Sequence, residues 1–234
     1  KTVFSTLVQS KEIEYKKAET ELYDEKFRLQ KENGEVKKVV DYPIYFRNAS
    51  KETLPQEGNT ISVWVTSLSQ SINPGWVIIL TPLVVAFFTY LRSRKKEPST
   101  PTKIAFGLLI SALSVLVMVA AVHIGNNGTE KVSVWWLVAN YGVITIGELF
   151  LSPMGLSIVS KLSPKNITAL MMGGWFLATS IGNKLSGVLA SMWDTYDDKA
   201  NFFWVNFGLL LFATVLMFAL VKNLNKVMKD HGIN

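Results

Sequence analysis

WLVANYGVITIGELFLSPMGLSIVS, residues 136–160, carries no charge except that of Glu148. The run is longer than the roughly 20 residues an α-helix needs to cross a hydrocarbon core of about 30 Å. It therefore reads as a membrane helix with an acid near its middle. A central carboxylate costs roughly 2.5–3.5 kcal/mol even on lenient insertion scales, so such residues generally face a cavity or a partner and mark a substrate or proton path. Ionised, Glu148 can bind a cationic group such as an ammonium. Protonated reversibly, it can carry a proton through a transport cycle. The purely structural alternative is an acid held protonated, or bonded to a neighbouring polar group, to stabilise helix packing. Ser152 follows one turn later on the same face, about 6 Å along the axis, where it can bond the carboxylate or the same ligand. Pro153 has no N–H and frees the carbonyl of Leu149. With Gly147 and Gly155 it predicts a kinked helix, of the kind tolerated beside a cavity or used for packing alone.

Outward from this stretch the chain alternates apolar runs with short charged connections. Five runs have membrane length, at about 73–91, 104–124, 134–160, 167–193 and 202–221. Residues 1–60 hold eleven Lys/Arg and eleven Asp/Glu, whereas residues 61–234 hold thirteen and seven, which supplies the whole net charge of +6. Ten of those thirteen lie in alternate connections: Arg92, Arg94, Lys95, Lys96 and Lys103; Lys161 and Lys165; Lys222, Lys226 and Lys229. The intervening connections hold Lys131 and Lys199. The positive-inside rule then places the C-terminus in the cytoplasm and, by parity, residues 1–60 outside. The basic excess reads as membrane topology, and nucleic acid is not an expected partner. Cysteine is absent, which excludes disulfides and thiolate metal sites. The first residues, KTVFSTLVQS, lack the pattern of a signal peptide, and the chain is expected to begin partway through a longer protein.

The expected domains are 1–60, a charged extracytoplasmic segment, and 61–234, the membrane bundle. Within the first, residues 11–33 read as a polar helix, with Glu12–Lys16 and Asp24–Arg28 as i,i+4 pairs and Gly34 as a C-cap. Such a helix is a solvated face or a partner-binding element. DYPIYF (41–46) reads as a short strand and PQEGN (55–59) as a turn.

Within the bundle, Trp64, Trp76, Trp135, Trp136, Trp193 and Trp204 fall near the outer ends of spans, as interface anchors do. Trp175 lies too deep for that role. Gly173, Gly174, Ser180, Gly182, Ser186 and Gly187 suit close helix packing. Lys184 either snorkels to headgroups or faces the interior and pairs with an acid. The Asn73-Pro74 step either caps a helix start or turns the Asn73 amide into a cavity, and Asn183 has the same ambiguity. His123 and His231 lie at opposite expected membrane faces. No metal-ligand cluster, nucleophile–base set, P-loop or dinucleotide fingerprint is present, so neither an enzyme, a metal nor a cofactor is expected.

Four stretches carry a resemblance: QSINPGWVIILTPLVVAFF, PSTPTKIAFGLLISAL, IGELFLSPMGLSIVSKLSP and MMGGWFLATSIGNKLSG. They are similar to successive segments of the proton-coupled oligopeptide transporters, a branch of the major facilitator superfamily. The resemblance runs from about Gln70 to Val221, and GELFLSPMGLS is its most specific part. It implies an all-α membrane protein whose five helices correspond to the eighth to twelfth of a twelve-helix transporter, the C-terminal bundle. It further implies proton-driven symport of di- and tripeptides across a bacterial inner membrane, with no cofactor beyond the proton gradient. By the same resemblance Glu148 binds the peptide's amino terminus, Asn73 helps to hold it, Ser152 lines the pocket, and Trp175 and Phe176 shape the side-chain pocket. The first-helix ExxER motif, the groups for the peptide carboxylate and the N-terminal bundle are not in this chain, so that bundle is an expected partner, as is the lipid bilayer. The alternatives are a major-facilitator transporter of another solute and a membrane scaffold with an extracytoplasmic partner-binding segment.

Overall fold

The computed structural model describes residues 11–23, 30–32, 34–47, 54–63, 69–128, 130, 132–164 and 166–230. The chain divides into two compact units, Lys1–Ser71 with Gly125–Val132, and Ile72–Ile124 with Ser133–Asn234.

The first unit corrects the expected polar helix. Its described residues form short antiparallel strands: β1 (Lys11–Glu14), β2 (Ala18–Glu21), β3 (Lys31–Glu32), β4 (Glu35–Val36), β5 (Lys38–Asp41) and β6 (Thr60–Val63). β1 pairs with β6, β2 with β5, and β3 with β4. The registers are Ile13 opposite Ile61, Thr20 opposite Val39, and Glu32 opposite Glu35. The physical reason lies in Asn33-Gly34. This dipeptide is the strongest short hairpin signal, because tight hairpin turns need positive φ. Gly34 sits at φ +87° between β3 and β4, as a turn residue and not as a helix cap. Glu12 stands on a strand, so its expected helical pairing with Lys16 does not arise. Asp24 and Arg28 lie outside the described residues. The expected strand at 41–46 is also corrected. Asp41 closes β5, and after Pro43, whose φ is fixed at −51°, Ile44–Phe46 form a 3-10 turn. The expected turn at 55–59 is present, with Gly58 at φ +88°. Tyr15 stacks on Tyr42 at 4.5 Å and meets Phe46 edge-on at 4.8 Å, and Phe46 is the buried centre of this small cluster.

The second unit is all helix. Its long elements are α1 (Ser69–Ser93), α2 (Thr100–Ile124), α3 (Trp135–Leu162), α4 (Thr168–Ser191) and α5 (Lys199–Asp230). At about 1.5 Å per residue each exceeds 30 Å. Among the described residues four of them, α1, α2, α3 and α5, are long and apolar enough to cross a membrane. α4 has the length, but Asn183, Lys184 and four glycines dilute its apolarity. α2 is the central helix, packed closely on α3 and α5, while α4 leans on α3.

Small residues create the α2–α3 seam. A Cβ built on Gly147 would lie 2.8 Å from the Gly107 carbonyl oxygen and would collide with Ser111 Oγ. Ala105, Ala112 and Ser114 of α2 are wholly buried. Hydrocarbon provides no hydrophobic drive between helices, so close backbone approach and dispersion hold such a seam. Among the described residues, the glycines expected to pack α4 meet no other element. Gly173, Gly174, Gly182 and Gly187 have no atom beyond their own stretch of helix within 4 Å of the position a Cβ would take.

The connection between α1 and α2 is tied by charge. Glu97 accepts from Arg92 Nε at Oε2, 2.7 Å, and from Arg92 Nη2 at Oε1, 3.1 Å, and Oε1 also takes the Lys103 ammonium. The Arg92 bonds, and then that of Lys103, hold the Glu97 carboxyl down at about 2. Lys103 itself is buried, with its ammonium 4.4 Å from the centre of the Phe88 ring.

Candidate functional site

The site is built on one face of α3. Gly142, Thr145, Glu148, Ser152 and Gly155 follow at spacings of 3, 3, 4 and 3, which stacks them along a single stripe. Glu148 is the fourteenth of the helix's 28 residues, counting from Trp135. It is half-buried. Asn73 of α1 reaches it, with Nδ2 donating to Glu148 Oε2 at 3.2 Å. Asn73 Oδ1 in turn accepts from Thr145 Oγ1 at 2.8 Å. The Thr145 hydroxyl also lies 2.6 Å from the Tyr141 carbonyl oxygen, its own i−4 position. Among the described residues no Lys or Arg pairs with Glu148, and Asn73 is the one side chain that donates to it. One carboxylate oxygen is thus held, while the other accepts from no side chain among the described residues.

Asn73 serves this contact because it is not a helix cap. α1 begins at Ser69, so Pro74 lies inside the helix and Asn73 is already in a helical turn. One turn on, Trp76 follows the same path. Its indole N–H donates to the Val138 carbonyl at 3.0 Å, and its ring lies where a Cβ on Gly142 would come within 3.2 Å. Trp76 therefore joins α1 to α3 rather than standing free at an interface. Trp135 is largely exposed and Trp204 nearly half exposed, and Trp64 lies outside the described residues.

Towards the other end of the stripe, α4 supplies the neighbour. The ring of Trp175 presses on Gly155 so closely that a Cβ there would stand 2.8 Å from Cζ2. Ser152 and Trp175 line one apolar cavity of about 290 Å³, with Leu151, Ile158 and Met217 completing much of its wall. Sequence reasoning thus gathers into two groupings on one face: Asn73 with Glu148, and Ser152 with Trp175. Phe176 joins neither. It is 59% exposed, on a face of α4 turned away from Trp175's contact. Lys184 is exposed and makes no ion pair among the described residues, and Asn183 is exposed as well. His123 is exposed, and no cluster of metal-ligating side chains occurs among the described residues.

Three participants escape a reading of the sequence. Thr145 and Gly142 extend the Glu148 stripe by two turns, and their signal was the 3-3-4-3 spacing itself. Trp76 had none, since an indole near a span's end reads equally well as an anchor.

Comparison with known proteins fits this geometry. Residues 55–205 match the family model described as POT family. Dipeptide and tripeptide permease A of Proteus mirabilis is 34% identical over 132 residues, which is 56% of this chain and 26% of that protein. The peptide transporter YePEPT of Yersinia enterocolitica is 39% identical over 121 residues, 51% of this chain and 24% of that protein. The chain thus spans about a quarter of the length of these relatives. Among solved structures, a peptide transporter POT in complex with sulfate superposes with a TM-score of 0.61 at 32% identity, over 68% of this chain and 32% of that one. A POT family transporter in complex with a thioalcohol-conjugated peptide gives a TM-score of 0.62 at 28% identity, over 77% and 36%. These relatives are permeases and transporters, and the matched family region takes in α1 to α4 with the acid-bearing helix at its centre. By that match over more than half its length, and by the helical bundle that displays it, this chain belongs to the POT family of membrane transporters.

Proposed function

We propose that this chain is the C-terminal part of a proton-driven symporter of di- and tripeptides, and that Glu148 binds the peptide's amino terminus. The observation that carries the reading is a half-buried carboxylate at the middle of a membrane-length helix, without an ion pair among the described residues and bonded through one oxygen only. A buried acid without a counter-ion suits an incoming ammonium, which would supply the missing charge. Asn73 steadies the carboxylate. Ser152, one turn along α3 from Glu148, and Trp175 border the apolar cavity where a peptide's first side chain would lie, while Phe176, exposed on another face of α4, stands outside that cavity and meets the remainder of the protein.

The N-terminal bundle of the full protein supplies the groups for the peptide's carboxylate and the proton-coupling acid. Rocking of the two bundles alternates access to the site, and Pro153, which sits inside the continuous α3 and leaves the Leu149 carbonyl without its helical donor, gives the helix the compliance that this needs. The protein lies in a bacterial inner membrane with its C-terminus cytoplasmic and residues 1–60 outside, as the ten-against-two distribution of basic residues indicates. Uptake of a labelled dipeptide by cells carrying full-length Glu148→Gln protein tests the reading. Uptake should fall to background at unchanged membrane abundance, and wild-type uptake should be competed by dipeptides and not by amino acids, sugars or nitrate. Undiminished uptake by the variant contradicts it.

A further inference from the structure

Thr145 is wholly buried, yet its hydroxyl does more than most helical threonines require. The ordinary recourse of a threonine in an apolar helix is the i−4 carbonyl, and Tyr141 provides that at 2.6 Å. The second contact, to Asn73 Oδ1 at 2.8 Å, crosses to another helix. Its direction follows from Glu148. An ionised carboxylate only accepts hydrogen bonds, so Asn73 must turn its NH2 towards it. The amide oxygen then faces Thr145, whose single proton is shared between that oxygen at 2.8 Å and the Tyr141 carbonyl at 2.6 Å. The polarity runs Thr145 to Asn73 to Glu148, and the Asn73 amide is held from both ends, by a donor at its oxygen and an acceptor at its nitrogen. Without the hydroxyl, the Asn73 amide keeps only its bond to Glu148, at 3.2 Å, and the donor it presents to the carboxylate is held from one end alone.

We propose that Thr145 is a positioning residue for recognition of the substrate's amino group. Acting through Asn73, it fixes the carboxylate so that Glu148 Oε1 stays open to an ammonium. The proposal rests on the assignment of Glu148 to the peptide's amino terminus, and it predicts an effect confined to that end of the ligand.

The test uses purified full-length protein reconstituted in liposomes, with dialanine and N-acetyl-dialanine as paired ligands. Thr145→Val keeps the shape and removes the hydroxyl. Loss of a charge-assisted hydrogen bond is worth about tenfold in affinity. The KM for dialanine should therefore rise about tenfold with Vmax within about twofold, while inhibition by N-acetyl-dialanine is unchanged, so that the preference for a free amino group collapses. Thr145→Ser should restore the wild-type preference. In an Asn73→Ala background Thr145→Val should add nothing, because its route to Glu148 is already cut. Should the Val variant fail to fold, Thr145→Ala and Thr145→Ser give the same comparison. An unchanged preference in the hydroxyl-free variant, an equal loss for both ligands, or full additivity with Asn73→Ala overturns the proposal. Glu148→Gln separates the two levels. If it too leaves the free-amino preference intact, the amino-terminus assignment itself fails. If it abolishes the preference and Thr145→Val does not, only the positioning role fails.

Discussion

Replacing Glu97 with Gln should destabilise the bundle from a point far from the proposed site. Glu97 is 20% exposed at its side chain and Lys103 only 7%. Removing the acid strands the Lys103 ammonium against the face of Phe88. Breaking a fully buried ion pair from one side costs roughly 3–5 kcal/mol. This pair borders a cavity of about 580 Å³ that also admits Arg92 and Lys161, and solvent in it reduces the loss, so about 2 kcal/mol is expected. For a unit of this size that is a fall of about 4–8 °C in melting temperature. The pH dependence has a definite sign. The folded Glu97 carboxyl sits at about 2 against an ordinary 4.5. A depressed acid contributes fully above its unfolded value and loses that contribution as pH falls towards its folded one. Thermal melts of purified full-length wild type and Glu97→Gln should therefore differ by a constant interval from pH 8 to pH 5, and the gap should narrow only below about 4.5. Adding Lys103→Met removes the stranded cation and should recover most of the loss. Equal stability of wild type and Glu97→Gln at pH 7, or a gap that changes around neutral pH, refutes this account of the α1–α2 connection.

Two other substitutions test the packing that positions the site. Gly147→Ala should cost about 1–3 kcal/mol by overpacking, because the new methyl meets the Gly107 carbonyl and Ser111 at once; thermal melting of the full-length protein measures it, and a neutral result shows that the α2–α3 seam is looser than described. Trp76→Phe removes the bond to the Val138 carbonyl together with the indole edge that lies against Gly142, for a loss of at least about 1 kcal/mol; a melt unchanged to within a degree shows that the indole does not tie α1 to α3.

The helices were legible because membrane length is written in composition, and Glu148 because a lone acid in such a helix stands out. Its partner was legible only as an alternative. Asn73 beside a proline reads as a cap until the helix is seen to begin four residues earlier, at Ser69. Thr145 stayed hidden for a different reason. A threonine in an apolar helix satisfies itself on its own backbone, so its sequence gives no sign of a cross-helix contact. The charged segment misled because favourable i,i+4 pairs arise readily in any dense mixture of Lys and Glu. Asn33-Gly34 carried the better signal, since a positive-φ turn is hard to satisfy otherwise. The α4 glycines show the limit of composition. Small residues permit close packing, but Gly173, Gly174, Gly182 and Gly187 meet no other element among the described residues, whereas Gly155 receives Trp175.

The most direct measurement of the central claim is equilibrium binding of dialanine to purified full-length protein, wild type against Glu148→Gln, with N-acetyl-dialanine alongside. If Glu148 holds the peptide's amino terminus, wild type prefers the free amine and Glu148→Gln loses at least about tenfold in dialanine affinity, with the N-acetylated ligand unaffected. Dialanine bound as tightly by Glu148→Gln as by wild type contradicts the account.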